Sequence, residues 1–529
     1  MKKRNWLIAS VAALGAAALG AALLSTGPSS ANPATSNPVA ANAPQFATVA
    51  DYQNQTVQWT NCGTDLFCGK VTVPMDWSKP AGATIKLAVI NHRASAAKPL
   101  GTVIFNPGGP GASGYDFVRD NFTSIGTKSL RANYNVMGFD PRGVQNSQPA
   151  VRCYVMDNKN PSPKMDNFLY GDSGYPLGSA KDLAATKAAI KAFDQACAKN
   201  TGQLLAHLDT VSTAKDLDIL RAVGGDAKLN YLGYSYGTFI GVNYASLFPS
   251  KVGRMVLDGA VDPTVSDEDQ TLNQLRGFDD ALTQYLMDCL GNSGCPFSGT
   301  VADARSKIST FLRDLETKPI STTDNGRKLT VAMATSGIDM ALYSKSYWTY
   351  LTSGFTSAFK GDGTTLERLA DFYNDRNTVA NGDQAAGSYN SNEMEAFIAT
   401  SCMDSRQSAD PKKMAIQNKR VLAASSVMGR YWQFGGLACA YWPAKVAKPL
   451  ASYSAKGAPT IVVVGTTHDP ATPYSQAQHL AHGVLANAFL VTYDGEGHTA
   501  YGQGHSCVDN TVDDFFVSGT LPSSEPTCK

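Results

Sequence analysis

Gly233-Tyr-Ser235-Tyr-Gly237 sets a serine between two glycines, the G-x-S-x-G form of a strand-to-helix turn that lifts a hydroxyl to the edge of a sheet. An apolar run at 229–233 precedes it, and Ile240, Tyr244 and Leu247 recur behind it at helical spacing. A serine hydroxyl is a weak nucleophile at neutral pH and needs a base that is itself oriented by a carboxylate. Two later loops supply both. Asp469 lies in Gly465-Thr-Thr-His-Asp-Pro-Ala-Thr-Pro473, just past an apolar run at 461–464, and His498 lies in Gly495-Glu-Gly-His-Thr499, just past another at 488–493. In this reading Ser235 attacks a carbonyl, His498 takes its proton and Asp469 holds the imidazole tautomer. A fourth segment, Asn106-Pro-Gly-Gly-Pro-Gly111, follows the run at 102–106. Its glycines let backbone N–H groups approach a developing oxyanion, and the donors are assigned to Gly109 and to Tyr236, the residue after the serine.

Other groups compete for these roles. His505 also follows the last strand but lies farther out, beside Cys507, and His479 and His482 fall on a helical stretch. Asp494 and Glu496 are near His498 in sequence, but the orienting carboxylate belongs on the neighbouring strand end, where Asp469 lies.

The elements that must hold these groups can be read around them. Strand-like runs occur at 71–73, 84–91, 102–106, 135–139, 229–233, 254–258, 460–465 and 488–493, several of them continuously apolar, as for parallel strands covered on both faces. Thr213-Ala-Lys-Asp216 reads as a capping box, followed by Leu217, Leu220 and Val223 and stopped by Gly224-Gly225. Alternating strands and helices predict an α/β architecture with a mostly parallel, eight-stranded sheet. Between 263 and 445 strands become scarce; Ile308, Phe311, Leu312 and Leu315 share one helical face, and Leu366, Leu369, Ala370 and Tyr373 another. The expected organisation is a core of 47–262 and 446–529 with a helical cap at 263–445.

The 529 residues carry 45 Lys+Arg against 44 Asp+Glu, with 17% charged and 43% hydrophobic. That composition excludes a disordered polymer, and the balance of charge argues against a nucleic-acid binder. Residues 1–31 read as a secretory signal peptide: a basic start, an Ala/Leu/Gly-rich stretch, then small residues. The Pro/Ala/Asn-rich 32–46 reads as a flexible leader. An exported chain with ten cysteines favours disulfides; the sequence leaves their connectivity open, and pairing of sequence neighbours would give Cys62–Cys68, Cys153–Cys197, Cys289–Cys295, Cys402–Cys439 and Cys507–Cys528. Neither CxxC nor HxxxH spacing occurs, so no metal site is expected, and no cofactor motif appears. The expected product is an extracellular monomer, free of the membrane after signal cleavage.

As a set, the NPGGPGASG segment, Asp140-Pro-Arg-Gly143, GYSYGT, Leu257-Asp-Gly-Ala-Val-Asp-Pro263, the DPATP segment and the final GHT resemble secreted α/β-hydrolase peptidases of the tripeptidyl aminopeptidase type, relatives of proline iminopeptidase found in actinobacteria. The resemblance runs from about residue 60 to the C-terminus. It implies an α/β-hydrolase fold and a serine exopeptidase that acts on short peptides with free N-termini, with Ser235, Asp469 and His498 as triad and Gly109 with Tyr236 as oxyanion hole. The departure is Asn106-Pro107 ahead of GGPG, where proline iminopeptidases have His (HGGPG); this favours the tripeptidyl branch over single-proline release. An aminopeptidase must also bind a substrate ammonium with a carboxylate, for which Asp404, Glu393 and Glu395 are candidates, while Tyr343, Tyr347, Trp348 and Tyr350 are candidates for an apolar slot. Two other readings share the residues: an exported esterase or amidase using the same triad, and an inactive hydrolase fold serving as a binding protein.

Overall fold

The apolar runs form strands, and the loops after them carry the candidate residues. In chain order the strands are β1 Thr60–Gly63, β2 Leu66–Pro74, β3 Thr84–His92, β4 Thr102–Asn106, β5 Asn135–Phe139, β6 Leu229–Tyr234, β7 Val252–Asp258, β8 Ile320–Ser321, β9 Lys328–Leu329, β10 Ile461–His468, β11 Ala488–Glu496 and β12 Thr527–Cys528. This computed structural model describes residues 46–154, 159–171, 173–324, 326–378, 384–405 and 407–529; the expected signal peptide, and the expected leader up to residue 45, lie outside them. β8 and β9 pair with each other, and the remaining ten strands form one sheet in the order β1-β2-β3-β5-β4-β6-β7-β10-β11-β12. The first strands are antiparallel, and every pairing from β5 to β12 is parallel.

Among the described residues the sheet therefore has ten strands where the sequence predicts eight. The two extra strands are edges: β1 is the exposed polar TNCG, and β12 has two residues. Neither carries an apolar run. The inner strands follow the two-residue period on a sheet covered on both faces. In the fully buried β4, Val103 and Phe105 join Val136, Leu232 and Val462 on one side, while Ile104 joins Met137, Tyr231 and Val463 on the other. Each such side chain contributes roughly 1.5–3 kcal/mol on burial.

One helix start also differs. The helix Thr210–Val223 begins a turn before the expected box at Thr213, because the Asp209 side chain caps it, accepting from the Ser212 N–H at 2.8 Å. Thr213 is buried inside that helix.

The cap has its own core. Leu275, Leu282, Ile308, Leu312, Ile338, Leu351, Phe355 and Leu366, from five helices, form a second cluster. The helix Pro163–Tyr170, between β5 and β6, packs there too. Tyr170 is part of that cluster and donates to the Ala370 carbonyl at 3.1 Å, while Asp166 accepts two bonds from Arg376 at 2.7 and 2.8 Å. Disulfides join Cys62–Cys68, Cys153–Cys197, Cys289–Cys295, Cys402–Cys439 and Cys507–Cys528. Among the described residues, no helix is long and apolar enough to cross a membrane.

Strand register fixes where the site must be. Asn106 lies opposite Gly233, Tyr234 opposite Asp258, Val464 opposite Asp258, and His468 opposite Glu496. The residues that follow these positions therefore emerge at one carboxyl edge.

Candidate active site

Ser235 sits between β6 and the helix Tyr236–Leu247 with φ +56° and ψ −126°. For a residue with a side chain this is a strained backbone, costing of order 1–3 kcal/mol, and the surroundings must impose it. They do so with three bonds. The Ser235 N–H donates to the Asp258 carbonyl at 2.9 Å, and its own carbonyl accepts from the Thr238 N–H at 2.8 Å and the Thr238 hydroxyl at 2.6 Å. The flanking glycines are required by close approach: a Cβ on Gly233 would lie 2.6 Å from the Gly237 carbonyl oxygen, and one on Gly237 2.7 Å from that of Asn106.

His498 Nδ1 lies 2.9 Å from both oxygens of Asp469. The carboxylate also accepts from the N–H groups of Ala471 and Thr472 at 2.9 Å each and from the Thr472 hydroxyl at 3.0 Å. A carboxylate so placed accepts, so Nδ1 carries the proton and Nε2 keeps its lone pair, the tautomer a general base needs. Nε2 is buried and makes no hydrogen bond among the described residues. Burial alone pushes this imidazole down, but the charge and hydrogen bond of Asp469, with a smaller push from Asp258, outweigh it and hold its pKa above the ordinary value. Tyr343 of the cap packs edge-on against the ring, with centroids 5.5 Å apart, and its carbonyl accepts from the His498 N–H at 2.9 Å.

Across from the serine, Gly108 is wedged against the elbow: a Cβ there would stand 2.9 Å from Ser235 Cβ and 3.2 Å from Tyr236 N. The Gly108 N–H is taken by Asn106 Oδ1 at 3.0 Å, whereas among the described residues no such bond engages the N–H of Gly109 or Tyr236.

The rival groups are occupied elsewhere. His505 stacks on Tyr493, His482 meets Glu525, and His479 meets Asp262. Asp494 accepts from the Thr467 hydroxyl, and Glu496 faces Lys345.

The three candidate ammonium carboxylates all lie on the helix Glu393–Asp404, and they have different neighbours. Glu395 is fully buried and accepts from the Tyr154 N–H at 2.6 Å. Asp404 accepts from the Thr210 hydroxyl at 2.6 Å and the Thr210 N–H at 3.1 Å, and the same hydroxyl is hydrogen-bonded to the Tyr236 phenol. Glu393 has no salt bridge among the described residues; burial, with a contribution from Asp375, pushes its carboxyl up to about 8. Its backbone carbonyl lies against Gly111 of the glycine loop. Of the aromatic candidates, Tyr343 faces His498, Trp348 is packed against Tyr285 in the cap core, Tyr347 is half-buried and Tyr350 is exposed.

Two residues that the sequence reading passed over belong to this region. Asp339 has a buried Oδ1 with no hydrogen-bond partner among the described residues, burial pushes its carboxyl well above the ordinary range, and it neighbours Tyr343 and Tyr373, whose hydroxyls lie 3.4 Å apart. A lone acid in the apolar helix Val331–Leu342, one turn before Tyr343, was the available signal. Asp258 is buried at the end of β7 inside the Leu257–Pro263 motif, and its carboxylate accepts from the Ala500 and Tyr501 N–H groups two and three residues beyond His498. Among the described residues no cluster of His, Cys, Asp and Glu is arranged to hold a metal ion.

A family model described as TAP-like protein matches residues 425–528. The serine protease Hip1 of Mycobacterium tuberculosis is 36% identical over 90% of this chain and 91% of its own length. Carboxylesterase B of the same organism is 36% identical over 87% of this chain and 86% of its own. The tripeptidyl aminopeptidase of Streptomyces lividans is 30% identical over 89% and 86%.

Proposed function

The chain belongs to the tripeptidyl-aminopeptidase-like family of α/β-hydrolases and is a serine hydrolase, and from that premise we propose a secreted exopeptidase that cuts short peptides near their free N-termini. The observation that carries the chemistry is His498: its Nδ1 is held by Asp469 at 2.9 Å, and its buried Nε2 is left as a free base at the edge where Ser235 emerges. In the proposed cycle Nε2 takes the Ser235 proton as Oγ attacks the scissile carbonyl. The oxyanion accepts from the N–H groups of Gly109 and Tyr236. The imidazolium, stabilised by Asp469, returns the proton to the leaving amine, and water activated by His498 then hydrolyses the acyl-enzyme.

The choice of a peptide with a free N-terminus rests on Glu393. It is a half-buried carboxyl without a cationic partner among the described residues, its backbone touches the glycine loop, and Asp339 supplies a second carboxyl, both of them acting on Tyr373. A substrate ammonium placed there would ionise Glu393 and compensate its burial. Export is supported by the five disulfides and by the signal-like sequence of residues 1–31.

The second reading, an esterase or amidase, is favoured by the relative named carboxylesterase B. Peptide anilides of one to four residues, free or acetylated at the N-terminus, separate the two. The exopeptidase should cleave a free tripeptide anilide with kcat/KM at least about 100-fold above its acetylated twin, the effect of losing a desolvated charge pair of about 2.7 kcal/mol. Equal rates on free and blocked substrates would establish the esterase reading instead.

A further inference from the structure

The Leu257–Pro263 motif takes no part in the chemistry above, yet its Asp258-Gly259 step touches all three loops that carry it. The Asp258 carbonyl accepts from the Ser235 N–H at 2.9 Å, which fixes the elbow. The Asp258 carboxylate accepts from the Ala500 N–H at 3.0 Å and the Tyr501 N–H at 2.8 Å, which fixes the histidine loop. The Gly259 N–H donates to the Val464 carbonyl at 3.1 Å, on the strand that delivers Asp469. At φ +67°, Gly259 lies flat against the imidazole: a Cβ there would stand 3.0 Å from His498 Cε1 and 3.3 Å from Nδ1.

We infer that Asp258 and Gly259 are positioning residues that lock the elbow, the histidine loop and the acid strand into one register, and that the Asp258 carboxylate, once ionised, is a second negative charge behind His498. The inference rests on the triad proposed above. Asp258 does not replace Asp469 as the orienting acid, because Nδ1 is held by Asp469 while the Asp258 oxygens are taken by two backbone N–H groups. The titratable groups facing it are His498, Asp469 and Tyr234. Burial pushes the Asp258 carboxyl up to about 7, against the opposing pull of the Tyr501 and Ala500 hydrogen bonds and His498.

Asp258→Asn and Asp258→Ala separate geometry from charge. Both N–H groups reach Oδ2, and the Ala500 N–H also reaches Oδ1 at 3.1 Å, so an asparagine oxygen at the Oδ2 position can keep two of the three contacts without the charge. For Asp258→Ala, kcat on the best anilide should fall about 10- to 100-fold with KM within about threefold. Asp258→Asn should recover most of kcat, but the acid limb of its kcat/KM profile should move to lower pH, because the imidazolium has lost a stabilising charge. Gly259→Ala should lower kcat in the same way. Where Asp258→Ala does not accumulate as folded protein, Asp258→Asn and Gly259→Ala decide. Wild-type kcat and an unmoved acid limb in folded variants, with only the melting temperature lowered, would overturn the inference. Ser235→Ala is the control: full activity there would bring down the triad itself, whatever Asp258 does.

Discussion

The backbone carbonyl of Glu393 packs against Gly111 so closely that a Cβ on the glycine would lie 2.5 Å from its oxygen, and Phe397 N is the next atom at 2.7 Å. The first turn of a cap helix is thereby pressed onto the loop that carries the Gly109 donor. The other end of that helix is bonded through Asp404 and Thr210 to Tyr236, which carries the second donor. The helix Glu393–Asp404 thus touches both segments of the proposed oxyanion hole, and a substrate ammonium at its start, as proposed above, would be held at a fixed distance from the reacting carbonyl.

Glu393→Gln tests that placement. On free tripeptide anilides KM should rise and kcat/KM fall by about 10- to 100-fold, while hydrolysis of a small blocked ester should change by less than about twofold. Equal losses on both substrates would place Glu393 in the scaffold rather than in recognition. Glu395→Gln should spare KM for the free peptide, because its carboxylate serves the Tyr154 N–H.

The pH profile follows from His498. In the proposed cycle activity needs the neutral imidazole, whose pKa is held above its ordinary value of 6.5 because Asp469 outweighs burial. The acid limb of kcat/KM should therefore have its midpoint above 6.5. Asp469→Asn should cut kcat by about 10⁴, since the amide favours the wrong tautomer. A midpoint below 6.5 in the wild type would contradict the ring's coupling to Asp469.

Stability should run the opposite way with pH. Burial pushes Asp140, Asp258, Asp404 and Glu395 up to about 7 and Glu393 up to about 8. In the unfolded chain these groups titrate near about 4. Between about pH 4 and 8 the folded protein thus holds protons that the unfolded chain has released, so stability falls as pH rises through that window. His498, also raised, adds in the same direction. Melting temperatures at pH 5, 6, 7 and 8 should decline in order, and a steady rise would refute the assignment of these carboxyls as buried acids.

Much of this fold was legible because burial on both faces leaves continuous apolar runs. Val103-Ile-Phe105 and Ile461–Val464 sit in β4 and β10, and the residues after them reach the site. The edges β1 and β12 left no such trace, and the start of Thr210–Val223 was hidden because its cap is an aspartate one turn earlier than the apparent box. The candidate carboxylates were harder to tell apart. Asp404 meets Thr210 across 194 residues, and Glu395 meets Tyr154 across 241. Local sequence distinguishes neither from Glu393, since only the tertiary fold brings those partners in. Asp258 was visible as part of a motif, but its three-way contact exists only once parallel register sets Tyr234 and Val464 beside it.

The most direct measurement is the site of covalent attack. After reaction with a fluorophosphonate, peptide mass spectrometry should find the adduct on Ser235 alone. Ser235→Ala should neither label nor turn over, and His498→Ala should label at least about 10³-fold more slowly. A stable adduct on another residue, or turnover retained by Ser235→Ala, would contradict the account.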